Sequence, residues 1–128
     1  MRSTFISTAV CACVAILVGA CSREAKFQNQ LDAGCEALAA GHYPDAIDHL
    51  NKAVRLSPDS ATAYCNLGIA YAAVKQTDDA MFTLLMAKDL LKQDPRPAIL
   101  LADVYCQADR CDEARKTLAS LNEEVPGQ

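Results

Sequence analysis

The chain repeats itself at an interval of 34 residues, and that interval restricts the folds open to it more than any other property of its sequence. Residues 61–94 are the reference copy. Ala80 falls on Ala46 in one direction and Ala114 in the other, and Leu84 falls on Leu50 and Leu118. Gly68 maps onto Gly34 and Ala102, and Ala87 onto Ala53 and Leu121, while Leu67 and Tyr71 map forward onto Leu101 and Tyr105. A fixed period of this length means one supersecondary unit stacked on itself, each copy burying the face its neighbour leaves open. Arrays of this kind present extended surfaces in place of enclosed catalytic pockets.

Within the middle copy the marks are Tyr64, Leu67, Gly68, Tyr71, Ala80, Leu84 and Ala87, with Lys92 where a proline would close the pattern. The third copy offers Ala98, Leu101, Ala102, Tyr105, Ala114, Leu118, Leu121 and Pro126. The first is weaker in its opening helix (Gln30, Ala33, Gly34, Ala37) and regular in its second (Ala46, Leu50, Ala53, Pro58). These residues resemble the tetratricopeptide repeat, over residues 27–128. The resemblance implies an all-α, right-handed α-solenoid of three helix pairs, with repeats at 27–60, 61–94 and 95–128.

Residues 1–20 are of another kind. Arg2 supplies a positive start, no charge follows until Arg23, and the apolar run 9–20 is short for a helix that must span a bilayer. It reads as a secretory signal. Its end, Leu17-Val18-Gly19-Ala20-Cys21, resembles a bacterial lipobox, which implies cleavage before Cys21 and acylation of that cysteine. Residues 21–26 then form a short polar tether. Ser22, in place of Asp after the cysteine, favours the periplasmic face of an outer membrane in a diderm. Removing residues 1–20 from the 128 leaves 108, a single domain's worth. Losing Arg2 alone from the 12 basic residues leaves 11 against 16 acidic, with no basic cluster to hold nucleic acid.

Helices are expected at 27–40, 44–56, 61–74, 78–91, 96–108 and 112–125. Gly41 lies just past the first, and Pro44 suits the first turn of the second, where a missing N–H costs nothing. Ser57-Pro58-Asp59-Ser60 forms a turn with a cap for the third helix. Thr77 is the expected cap of the fourth, ahead of Asp78 and Asp79 at its positive end, and Asp94 that of the fifth. The fourth helix is apolar nearly all round, so cover on several sides is expected. The sixth keeps a stripe of Ala114, Leu118, Leu121 and Val125 with a polar opposite face, as a terminal repeat that caps itself would.

In the tetratricopeptide family five positions of each first helix line the concave groove. Carried over, they are Gln28, Leu31, Cys35, Leu38 and Ala39, then Thr62, Cys65, Ile69, Ala72 and Ala73, then Arg96, Ile99, Asp103, Cys106 and Gln107. The implied groove is small-residue and apolar, suited to an amphipathic helix. It lacks the Lys, Arg and Asn clamp that some relatives use on a C-terminal carboxylate, of which Asn66 alone is reminiscent.

Of seven cysteines, Cys11 and Cys13 leave with the leader and Cys21 is the lipid site, so Cys35, Cys65, Cys106 and Cys111 remain. An even number in an oxidising envelope points to two disulfides. By the repeat's geometry Cys106 and Cys111 face each other across the turn within a helix pair, while Cys35 and Cys65 face the groove from neighbouring first helices; the alternative is four free thiols acting as small hydrophobes. Cys106-x4-Cys111 is too open for a metal pair, His42 and His49 lie in another repeat and read as solvent-facing, and no thiol or hydroxyl has a positioned base. No enzymatic activity, cofactor or metal is expected. The sequence reads as a lipid-anchored scaffold for a protein or peptide in the bacterial cell envelope, assisting assembly of a machine such as a pilus or secretion system. The competing reading is a structural lipoprotein that self-associates as a homo-oligomer.

Overall fold

The computed structural model describes the backbone of residues 3–123 and the side chains from residue 16 to residue 123. Six helices, and no strand, occur among the described residues: α1 Ser3–Ala39, α2 Tyr43–Leu56, α3 Ala61–Ala73, α4 Thr77–Leu90, α5 Arg96–Gln107 and α6 Cys111–Glu123. Each helix packs on the next along the chain. The first helices of the pairs also touch, α1 on α3 and α3 on α5, whereas among the described residues no such contact joins α2 to α4 or α4 to α6. The array therefore curves: α1, α3 and α5 line its inner face and the second helices splay over its outer one.

The 34-residue period is written into the backbone as well as the side chains. Gly41, Lys75 and Asp109 all adopt positive φ, at 77°, 64° and 58°. Around each, the same two hydrogen bonds form. The N–H groups of Gly41, Lys75 and Asp109 donate to the carbonyls of Leu38, Ala72 and Cys106 at 3.1, 3.1 and 3.2 Å. Those of His42, Gln76 and Arg110 donate to Ala37, Tyr71 and Tyr105 at 2.9, 3.0 and 2.8 Å. This is the Schellman ending, which satisfies the last carbonyls of a helix and requires one left-handed residue. Only the first copy supplies the glycine that suits it.

Helix pairing depends on a close approach that the sequence repeats. A Cβ on Gly34 would stand 2.6 Å from Leu50 Cγ, and one on Gly68 2.6 Å from Leu84 Cγ, so each leucine lies directly against glycine backbone. Leu50 and Leu84 are fully buried. In the third copy the small partner is Ala102, and Leu118 is 43% exposed. Around these pairs, Ala46, Leu50, Leu67 and Ala70 form one cluster, and Ala80, Met81, Leu84, Leu101 and Val104 another. A third joins Phe27 to Ala53 and Ala63.

Several expectations need correction. Residues 22–26 are helical and run without a break into residues 27–39, because Ser-Arg-Glu-Ala-Lys contains no breaker and Arg23 Nε donates to the Leu56 carbonyl at 2.8 Å. Thr77 does not cap α4. It occupies the first helical position after Gln76, and no side chain caps that end. Ser60 does cap α3, accepting from the Ala63 N–H at 3.3 Å, whereas Pro95 takes the cap position of α5 and Asp94, one residue earlier, accepts from the Arg96 N–H at 2.9 Å through Oδ1. Nor is α4 covered on all sides: Phe82 is 67% exposed and Leu85 42%. The neighbours that cover it, α3 and α5, lie toward the inner layer, so its outward stripe meets solvent whatever its composition. His49 is half-buried, its Nδ1 3.0 Å from Gln30 Oε1 between α1 and α2. Leu118 is not sealed by a self-capping α6, and Val125 lies outside the described residues.

Candidate functional site: the concave groove

Ile69, Ala72 and Ala73 from α3 meet Asp103 and Gln107 from α5 around one cavity of about 250 Å³, floored by Gly68 and Leu84. The α3 side of this seam is built of small residues, and the α5 side brings Leu100 and Val104. Gly68 and Ala72 bring no bulk to the seam, so a hollow remains where a larger pair would meet. Ile69 at its edge and Ile99 beyond it are 36% and 52% exposed, which leaves branched apolar surface facing solvent. The rim is polar. Gln107 Nε2 donates to Asp103 Oδ2 at 2.7 Å, and Lys75 closes the side at the α3–α4 turn.

The α4–α5 end of the groove is set by a local ion pair. Arg96 Nε donates to both carboxylate oxygens of Asp94, at 3.0 and 2.9 Å. The guanidinium and the Arg96 N–H hold the Asp94 carboxyl below the usual carboxylate range, and Asp94 in turn raises Arg96. Burial pushes the Cys65 thiol up, partly offset by the nearby Arg96 charge. At the other end Gln28 Nε2 donates to Asp32 Oδ1 at 2.8 Å, and burial with the Asp32 charge raises the Cys35 thiol. Thr62, Ala39 and Cys106 are exposed on the same run of helices.

Not every expected groove residue serves the groove. Leu31 and Leu38 are half-buried and pack into the core beside Leu50 and Leu67. Asn66 donates its Nδ2 proton to Cys35 Sγ at 3.2 Å, making it a link between α1 and α3 in place of a carboxylate clamp. Cys35, Cys65, Cys106 and Cys111 all stand as free thiols, as does the exposed Cys21 within α1. No cluster of three metal-ligating side chains forms among the described residues. No helix among them is long and apolar enough to cross a membrane.

A second hollow, of about 600 Å³, was not anticipated. It lies where α1 passes the α2–α3 turn, lined by Arg23, Glu24, Phe27, Leu56, Pro58 and Leu90 among others. Asp59 on its edge is held below the usual range by the Ser57 hydroxyl, its own backbone N–H and Arg23. The available signal was that Leu56 and Leu90 occupy equivalent repeat positions at the ends of α2 and α4.

With this geometry, known proteins fall into place. Residues 36–74 match the TPR repeat family. The MamA 41-end structure from Desulfovibrio magneticus RS-1 superposes with a TM-score of 0.72 at 22% identity, covering 79% of this chain and 59% of that one. The type III secretion translocator chaperone SycD of Yersinia enterocolitica gives 0.70 at 18% identity, covering 78% of each chain. The fold is a tetratricopeptide-like solenoid. In sequence, the DnaJ homolog subfamily C member 3 of Gallus gallus is 29% identical over 115 residues, which is 84% of this chain and 23% of that protein. The chain thus spans under a quarter of that curated relative. Two of the three TPR-like units contribute the cavity, and its five predicted lining residues are drawn from equivalent faces of α3 and α5.

Proposed function

We propose that this protein is a non-catalytic scaffold that holds a protein or peptide partner in its concave groove, at the surface of a bacterial envelope membrane to which Cys21 anchors it. The observation that carries the reading is the apolar-floored cavity between α3 and α5, with Ile69 and Ile99 exposed beside it. An amphipathic helix laid across the inner face would seat one large apolar side chain there and bury both isoleucines. Neighbours of the same fold include a translocator chaperone and a protein in a CopN–Scc3 complex, which supports assembly assistance in an envelope machine as the setting. Signal-peptide cleavage before Cys21, residues 21–26 as the link to the membrane, an outer-membrane periplasmic location and a Cys35–Cys65 disulfide formed on oxidation belong to the same reading.

The test is a cross-linked pull-down from native membranes, comparing the wild type with an Ile69→Glu/Ile99→Glu variant by mass spectrometry. A specific envelope protein captured by the first and lost from the second supports the groove. Equal capture by both removes it. Self-association is the second reading, favoured by the outward stripe of Phe82, Leu85 and Leu90 on α4. It predicts a mass in sedimentation that rises with concentration and falls in Phe82→Ser, with the groove variant unaffected.

A further inference from the structure

We infer that the α5–α6 turn carries an exchange-active dithiol, Cys106 and Cys111, which closes into a disulfide on meeting a disulfide-bearing thiol compound or protein. Cys106 is the penultimate residue of α5, Cys111 opens α6, and both are exposed. The loop between them is already drawn shut. Asp109 N–H donates to the Cys106 carbonyl at 3.2 Å and Arg110 N–H to Tyr105 at 2.8 Å, with Asp109 in the left-handed region. Arg110 fastens it further: its guanidinium lies 5.0 Å over the Tyr105 ring, and its Nε donates to Glu113 at 3.0 Å. The two cysteines thus flank a turn whose backbone is already fixed.

The fold does not demand cysteines here. The equivalent pairs in the other copies are Leu38 with Tyr43 and Ala72 with Thr77, around turns of the same backbone geometry. Partial desolvation, the neighbouring Cys111 and the charge of Asp103 all hold the Cys106 thiol above its ordinary range. Cys111, exposed at the N-terminal end of α6 where developing negative charge is favoured, is the sulfur assigned to attack.

The chemistry balances as thiol–disulfide exchange. The Cys111 thiolate attacks one sulfur of the incoming disulfide, whose S–S bond breaks as its other half leaves as a thiol. Cys106, deprotonated in turn, attacks Cys111 Sγ; the Cys106–Cys111 bond forms and the second thiol departs. Two electrons pass from the pair to the incoming disulfide, and the two protons leave on its thiols. This inference does not rest on the groove reading, since exchange at the turn needs no partner in the cavity.

The test uses the full chain equilibrated with reduced and oxidised glutathione in varied ratio, quenched in acid, blocked and digested with trypsin. Cleavage after Arg110 separates the two cysteines onto peptides 93–110 and 111–115. The expected product is those peptides joined, lighter by two hydrogen atoms than the separate pair, increasing with oxidised glutathione and reversed by the reduced form. Cys106→Ser should stall as a glutathione adduct on Cys111, and Cys111→Ser should be modified at Cys106 at least about tenfold more slowly. Absence of the joined peptide at every ratio overturns the proposal. Equal or faster adduct formation on Cys106 overturns the assignment of the attacking sulfur.

Discussion

Substituting Gly68 by Ala ought to destabilise the fold, although alanine is the better helix former. The added Cβ would stand 2.6 Å from Leu84 Cγ and 2.7 Å from Leu84 Cδ2. Leu84 is fully buried among Ala80, Met81, Leu101 and Val104, so it can give way only toward the cavity that it floors with Gly68. Forcing a methyl into a packed site costs about 1–3 kcal/mol. The gain in helix propensity is at most about 1 kcal/mol. Taking off the full gain leaves a loss of up to about 2 kcal/mol, which for a domain near 100 residues lowers Tm by roughly 4–8 °C per kcal/mol. Urea unfolding followed by far-UV circular dichroism measures it, and a double-mutant cycle isolates the cause. Leu84→Ala alone should cost about 2–5 kcal/mol. In that background the Gly68 substitution meets empty space and should turn neutral or stabilising, a coupling of about 1–3 kcal/mol. If Gly68→Ala costs the same with and without Leu84, the close approach is not what makes glycine necessary.

The left-handed trio gives a gain where this substitution gives a loss: Lys75→Gly relieves a non-glycine residue at φ 64° and should stabilise by about 0.5–1 kcal/mol, while Gly41→Ala should destabilise by about 1 kcal/mol. Equal stabilities in thermal melts would refute both. On pH, the carboxyls of Asp48, Asp59, Asp94 and Glu113 are all held below their ordinary values. Depressed carboxylate pKa values stabilise above the unfolded range near pH 4 and lose that contribution as pH falls through the folded values, so Tm should drop on acidification. Asp94→Asn should flatten that acid limb, and an unchanged slope would show that the Arg96 pairing does not matter. Finally, Phe82→Ser, at a position 67% exposed, should move stability by no more than about 0.5 kcal/mol; a core-sized loss would mean that α4 is covered after all.

What the sequence disclosed and what it hid divide along a physical line. Helix pairing was legible because each small residue recurs opposite the same leucine: Gly34 with Leu50, Gly68 with Leu84. The helix ends were legible where a side chain or a glycine forces them, as at Ser60 and Gly41. They were misread at Thr77, because a good cap residue also tolerates the first helical position, and here Gln76 takes the cap position one residue earlier. On α3 and α5 the repeat positions assigned to the groove include Ile69, Ala72, Ala73, Asp103 and Gln107, which line one cavity. On α1 the same positions put Leu31 and Leu38 half-buried against the core, because a large apolar side chain beside a buried cluster packs onto it. Phe82 and Leu85 show the converse failure. Apolar identity was taken for burial, yet curvature leaves the outer stripe of a second helix without a neighbour.

The continuity of α1 through residues 21–26 has a mechanical meaning. From Cys21 to the Gly34–Leu50 contact the chain rises through helix at 1.5 Å per residue, roughly 20 Å of stiff rod, fastened near its start where Arg23 grips the Leu56 carbonyl. A coil of the same length would let the solenoid swing through a wide cone. A rod gives it a bearing: any hold placed on residue 21 also fixes the height and heading of the inner face, and a ligand must approach from the side that the strut leaves open.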